Sequence, residues 1–256
     1  MNVLMRGVIA SVLGVLAVGI ISCSSGVSST SAGTGSASTL VAFNSPLGYG
    51  DPKFGVSPRQ MLHDVDVDKD YIRAGTHARK VKRPMNPRYI TIHSTQNYSP
   101  SADAERHSLA LKNGKLRAYK REGGNRIGYL AWHYSVDEDH AVHHIPNNEQ
   151  GEHADFDGPG NRYSIGIEMC ENRGNSRAKT IDRTAKLAAY LMWQHNIPIQ
   201  NVVPHYHWER RGLSNPHKNC PHYLLDNGKP GAKWAWFQSK VNKYHQQLGS
   251  LNSPNM

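Results

Sequence analysis

"SIGIEMC", residues 164–170, is a short, largely apolar run interrupted by a single charge, Glu168. Such a composition suits a strand buried on both faces, as in the middle of a parallel sheet. An acidic residue in that position is out of place unless it has a task. Working outward, "RYITIHST" (88–95) alternates Tyr89, Thr91 and His93 with Ile90 and Ile92 and reads as a second strand. "YLAWHYSVDEDHAVHHIP" (129–146) reads as two short strands turning at Asp137-Glu138-Asp139, and "NVVPHYHW" (201–208) as a further strand. Between and after them lie helical patterns. "SPSADAERHSLALKNGK" (99–115) stops at Gly114, and 180–195 carries Ile181, Ala185, Ala188, Leu191, Met192 and His195 on one face. "AKWAWFQSKVNKYHQQL" closes the chain as an amphipathic helix. Strands alternating with helices predict a layered α/β domain around a central sheet.

The N-terminal part has a different character. Arg6 precedes 15 apolar or small residues, Gly7 to Ile21. As a helix these span about 22 Å, short of the roughly 30 Å of a bilayer core, which is the shape of a secretory signal. Its end, Ile20-Ile21-Ser22-Cys23, resembles a bacterial lipoprotein signal, in which the cysteine is lipidated; an ordinary signal peptide or a short anchor is the alternative. We therefore expect a signal over 1–22, a lipidated Cys23 with a Ser/Gly-rich flexible linker over 23–40, an N-terminal extension packed on the domain over 41–84, and the main folded domain over 85–250. That arrangement predicts a membrane-anchored protein outside the cytoplasmic membrane, in the outer membrane where the cell has one. The patch "HDVDVDKDY" (63–71) lacks the glycine and closing glutamate of a calcium loop and is expected to be solvated surface.

The formal charge of +10 favours polyanionic partners such as cell-wall polymers or lipid headgroups, unless the excess lysine and arginine only solvate the surface. No nucleic-acid-binding module is recognisable, and nucleic acid is not an expected partner. Once Cys23 is set aside, Cys170 and Cys220 remain, and in an oxidising compartment the two can form a disulfide. A competing reading starts from His93 and His205 at strand ends and Cys220 fifteen residues after His205. In a layered sheet strand ends converge on one edge, and two imidazoles with one thiolate suit Zn²⁺ while leaving a fourth position open, the pattern of a catalytic site. With 15 histidines in the chain, placement alone does not select these three.

"ITIHST", "WHYSVD", "SIGIEMC", "VVPHYHW" and "HKNCPHYLL" occur in the order found in the type 2 N-acetylmuramoyl-L-alanine amidase family, and the chain resembles that family over roughly residues 85–228. The family includes phage amidase-type lysozymes, bacterial autolysins and peptidoglycan recognition proteins. The resemblance implies a single domain with a mixed β-sheet flanked by helices. It also implies a zinc hydrolase that cleaves the amide between N-acetylmuramic acid and L-alanine of peptidoglycan; a monomer is the expected state, although the sequence itself carries no signal for it. His93, His205 and Cys220 match the family's metal ligands, Glu168 its catalytic base, and Lys218 a basic residue facing the reacting carbonyl. Cys220 is then a thiolate ligand, and Cys170 a small apolar residue.

Two departures stand out. "ERRGLSNPHKN" (209–219) lengthens the connection between the second and third ligands, and His207, His217 and His222 become rival ligands, His207 foremost. Trp132 stands where the phage lysozymes have a tyrosine. His133, His143, His144 and His153 either line the cleft or serve packing. A peptidoglycan-binding module without activity and a zinc peptidase acting on the stem peptide are the competing functions, although no "HExxH" supports the second.

Overall fold

In the computed structural model, residues 55–118 and 127–249 are described. The signal, Cys23 and the linker predicted over 1–40 lie outside them. Two six-residue strands form the centre of the sheet, β2 (Tyr89–Ser94) and β5 (Ser164–Met169) in the numbering used below. They run parallel and in register from Tyr89 opposite Ser164 to Ser94 opposite Met169, so His93 lies beside Glu168. β6 (Val202–Pro204) pairs parallel to the outer side of β2, with Pro204 opposite Ile92. β3 (Tyr134–Val136) pairs parallel to β5, β4 (Ala141–His143) antiparallel to β3, and β1 (Val67–Lys69) parallel to β4. The sheet is thus mixed and six-stranded, in the order β1-β4-β3-β5-β2-β6.

Alternation of side chains makes the two faces of this sheet different. Ile90, Ile92, Ile165, Ile167, Met169, Val202 and Ala141 share the main core with helix α4 (Arg177–His195), helix α1 (Pro58–Val65) and helix α5 (Ala232–Gly249). The opposite face carries Thr91, His93, Gly166, Glu168 and Val203. Helix α2 (Ala104–Lys112) covers that face only at the β4 side, where Ala104 packs on Val142 and Cys170. Helix α3 (Pro159–Tyr163) and the loop before it close over its middle, with Ala154, Val203 and Trp208 forming a small core of their own. One face is therefore the hydrophobic foundation, and the other is free to hold polar groups.

Three expectations need correcting. The "HDVDVDKDY" stretch is not only solvated surface: α1 ends at Val65, Asp66 takes a left-handed conformation (φ 55°), and Val67–Lys69 forms the edge strand β1. Residues 58–69 accordingly supply a helix and a strand to the domain. The predicted strand over 201–208 stops at Pro204 and gives way to a single 3-10 turn, His205–His207, closed by the Trp208 N–H on the His205 carbonyl at 3.1 Å. His207 consequently does not share a strand face with His205; it is exposed and packs edge-on against Trp208. The helix predicted from Ser99 begins only at Ala104, because the Asp103 carboxylate, not the Ser-Pro start, caps it by accepting the Arg106 N–H at 2.8 Å. Among the described residues no helix is long and apolar enough to cross a membrane.

Candidate metal centre

Parallel strands β2 and β6 end at the same edge, and this places His93, near the end of β2, beside His205, the residue that follows β6. Their rings are 4.5 Å apart and inclined by 71°. Trp208 pins the turn that carries His205 by donating its indole N–H to Thr91 Oγ1 at 2.8 Å. Cys220 arrives from the other side, its Sγ accepting the Ser94 N–H at 3.4 Å. Potential ligand atoms of His93, His205 and Cys220 all lie within 4.8 Å of one another, and all three residues are buried. They form the only such His/Cys/Asp/Glu group among the described residues.

The lone pairs point the right way for a cation. His205 Nε2 donates to the Ala154 carbonyl at 2.9 Å, so its Nδ1 carries no proton; that buried atom has no hydrogen-bond partner. An orphaned imidazole nitrogen facing a second imidazole and a thiol is a donor set that fits zinc. Burial, together with the neighbouring His205, His153 and Lys218, holds His93 well below the ordinary histidine range. Burial and Lys218 do the same to His205, so both rings are neutral at pH 7. The Cys220 thiol is pushed up to about 12 by burial, with Glu168 adding to the rise. A divalent cation reverses that order and holds the sulfur as thiolate.

The predicted Cys170–Cys220 disulfide alternative is not found: both thiols are free, and Cys170 sits on the α2 side of the sheet. The rival ligands are outside the group as well. His217 donates Nδ1–H to the Tyr206 carbonyl at 2.8 Å and stacks on that ring, while His222 lies 3.6 Å from Glu171. The inserted segment 209–219 folds back on itself, because Arg210 donates to the Pro216 and Asn215 carbonyls, each at 3.1 Å. The chain therefore returns to its starting point, and the Tyr206 N–H reaches the Cys220 carbonyl at 3.1 Å.

Glu168 completes the arrangement, its Oε1 3.8 Å from His93 Nδ1 and its Oε2 buried without a partner. Burial raises its carboxyl to about 8, against the opposing pull of Lys218 and with a further push from Glu171. Glu168, His205 and Lys218 open into a cleft of about 350 Å³, whose walls include Trp132, Leu130, Phe156, Arg117 and Arg210. Of the four other histidines considered from sequence, only His153 lines this cleft. His133, His143 and His144 are buried around the β3–β4 hairpin. The sequence reading did not single out Phe156, Arg210 or Asn161, the last of which holds the loop over the site.

Comparison with known proteins agrees with this architecture. Residues 83–223 match the family model described as N-acetylmuramoyl-L-alanine amidase. The chain is 39% identical over 191 residues to N-acetylmuramoyl-L-alanine amidase XlyA of Bacillus subtilis, covering 73% of this chain and 58% of that protein. It is 36% identical over 165 residues to N-acetylmuramoyl-L-alanine amidase CwlH of the same organism, covering 64% and 58%. This chain thus spans 58% of the length of each of these curated relatives. Among solved structures, a mutant endolysin from Bacillus subtilis superposes with a TM-score of 0.57 at 38% identity, covering 69% of this chain and 99% of that one. The catalytic domain of XlyA gives the same TM-score, 0.57, at 37% identity and the same coverage, 69% and 99%.

Proposed function

This chain belongs to the N-acetylmuramoyl-L-alanine amidase family, and from that membership we propose that it is a zinc-dependent cell-wall amidase, cutting the bond between the lactyl group of N-acetylmuramic acid and L-alanine. The observation that supports the reading most is the convergence of His93, His205 and Cys220 beside a buried carboxyl, Glu168, which together with His205 lines a cleft. Those three residues would hold the zinc ion, which supplies Lewis acidity towards the scissile carbonyl and towards water.

The remaining work falls to the chain's own groups. Glu168 ionises readily once a cation lies nearby, since a neighbouring positive charge opposes the burial that otherwise keeps it protonated. As carboxylate it takes a proton from the attacking water, and it returns that proton to the L-alanine nitrogen as the C–N bond breaks. The products are a free lactyl carboxylic acid and a free amine. Lys218, on the cleft wall, offers its ammonium to the oxyanion that develops on the carbonyl. Trp132, Leu130 and Phe156 give the cleft apolar walls, which exclude water and strengthen these interactions.

Digestion of purified sacculi tests the proposal. The zinc-loaded protein is expected to release new amino termini of L-alanine and nothing else, and a chelator should stop the release. New amino groups from other positions would mean a peptidase, and binding without any cleavage would mean a recognition module.

A further inference from the structure

The loop between β4 and α3 touches both candidate histidine ligands, each on the nitrogen turned away from the metal site. His153 Nε2 lies 3.2 Å from the Ser164 carbonyl. A carbonyl only accepts, so this nitrogen carries the ring's proton and Nδ1 is a bare acceptor. His93 Nε2 lies 3.0 Å from that Nδ1 and must therefore donate to it. The proton of His93 is thereby fixed on Nε2, and its other nitrogen is left as a lone pair on the side of Glu168, His205 and Cys220. One residue further on, the Ala154 carbonyl fixes His205 in the same sense.

The seat of His153 is built for its ring. A Cβ at Gly166 would lie 2.8 Å from the ring, and one at Gly151 only 2.6 Å from it, so both positions require glycine. Asn161 fixes the backbone, its Oδ1 accepting the N–H of His153 and of Ala154, each at 2.8 Å. Asp155 in turn accepts the N–H groups of Gly160 and Asn161 at 2.8 and 2.9 Å.

We propose that His153 is a positioning residue that sets the tautomer of His93 for metal binding, and that Asn161, by holding the His153–Ala154 backbone, ties both histidine ligands to a single loop. The inference rests on the zinc reading above, yet its first test needs no metal. In zinc-free protein labelled with ¹⁵N-histidine, the long-range ¹H–¹⁵N spectrum should show His93 protonated on Nε2 in the wild type. His153→Leu removes the acceptor and is expected to shift His93 towards the Nδ1–H form and to weaken zinc binding by about 10–100-fold, the usual effect of losing a partner behind a metal ligand. His153→Gln can still accept from His93 and donate to Ser164, and should restore most of the affinity. A purely structural role for His153 would lower the melting temperature in both variants without this split. The proposal is overturned if wild-type His93 carries its proton on Nδ1, or if His153→Leu binds zinc as tightly as wild type. Should His153→Leu not fold, the wild-type spectrum and the affinity of His153→Gln still decide. A wild type with the Nε2–H tautomer but no affinity for zinc would support the clamp and count against the amidase reading.

Discussion

Among the described residues, histidines are buried both at the sheet edge and around the β3–β4 hairpin, and only the first cluster brings together a set of side chains able to hold a metal ion. At the sheet edge, His93 and His205 come from the ends of two different strands and meet Cys220 from a third segment. Around the β3–β4 hairpin, His133, His143 and His144 are equally buried. There His133 donates to the Glu149 carbonyl at 2.9 Å and accepts the Gly166 N–H at 3.0 Å, while His143 stacks on Tyr134 with ring centroids 4.1 Å apart. His144 Nε2 is 2.9 Å from Ser135 Oγ. Unpartnered nitrogens occur in both regions, on His143 Nε2 and His144 Nδ1 as on His205 Nδ1. An orphaned lone pair therefore does not make a metal site. Consecutive residues of an extended chain face opposite ways, so His143 and His144 turn their nitrogens apart. Ends of parallel strands turn theirs together.

The sharpest way to break this comparison is to remove one donor from each region. Cys220→Ala should abolish stoichiometric zinc, measured by metal analysis after gel filtration, and with it all release of L-alanine termini from sacculi. His144→Ala should leave zinc content at the wild-type value whatever it does to stability. Zinc retained by Cys220→Ala, or lost from His144→Ala, would mean that the wrong histidine region has been identified as the metal centre.

The same contrast explains what was legible beforehand. β2 and β5 were readable because apolar residues recur in both, and their parallel register then dictates that His93 and Glu168 are neighbours. The mixed sheet with flanking helices followed from the ordered motifs. β1 was not readable: three residues at the sheet edge, exposed at Asp68 and Lys69, leave no apolar alternation to detect. The turn at His205–His207 was misread as strand because the residue types favour strand, and only the turn after Pro204 separates His205 from His207. The grip of the 152–161 loop on the ligands pairs side chains with backbone groups, His205 with the Ala154 carbonyl and Asn161 with the His153 and Ala154 N–H groups, and the sequence does not show which backbone group a side chain will meet.

Carboxyl groups sharpen the comparison at the next level of effect. On the hairpin side, Asp70 is held below its ordinary value: its ion pair with Lys112 at 2.6 Å and a hydrogen bond from Ser108 outweigh burial. Glu168, with no hydrogen-bond partner on Oε2, is held high. A carboxylate with both oxygens held is fixed in place, whereas Glu168 keeps one oxygen without a partner, as the proton-transfer role proposed for it requires. Glu168→Gln should therefore keep zinc and lower turnover on sacculi by about 10²–10⁴-fold, the usual share of a general base. Near-normal turnover would remove Glu168 from the mechanism and assign proton transfer elsewhere in the cleft.

The smallest effect is a pH dependence of stability, read at one histidine of the hairpin. Burial pulls His144 down to about 3, whereas in the unfolded chain it titrates near its ordinary 6.5. Between those values the unfolded state holds the extra proton, so stability is fully present above pH 6.5 and is lost as pH falls towards 3. Asp70, which favours the proton, and His107, His143 and Lys112, which oppose it, are the charges that act on this ring. Glu168 contributes with the opposite sign: its raised value means that the native state holds the extra proton above about pH 4.5, and stability falls as pH rises towards 8. His93, His205, His143 and His153, all lowered by burial, add slopes of the same sign as His144, and Glu168 one of the opposite sign, so the wild-type profile alone does not isolate His144. The difference between wild type and His144→Asn does. In urea unfolding of zinc-free protein between pH 6 and 4.5, the variant's stability should change with pH by one proton less, about 1.4 kcal/mol per pH unit. An unchanged slope would mean that His144 takes up its proton without unfolding, and that the hairpin histidines are less closed to solvent than their burial indicates.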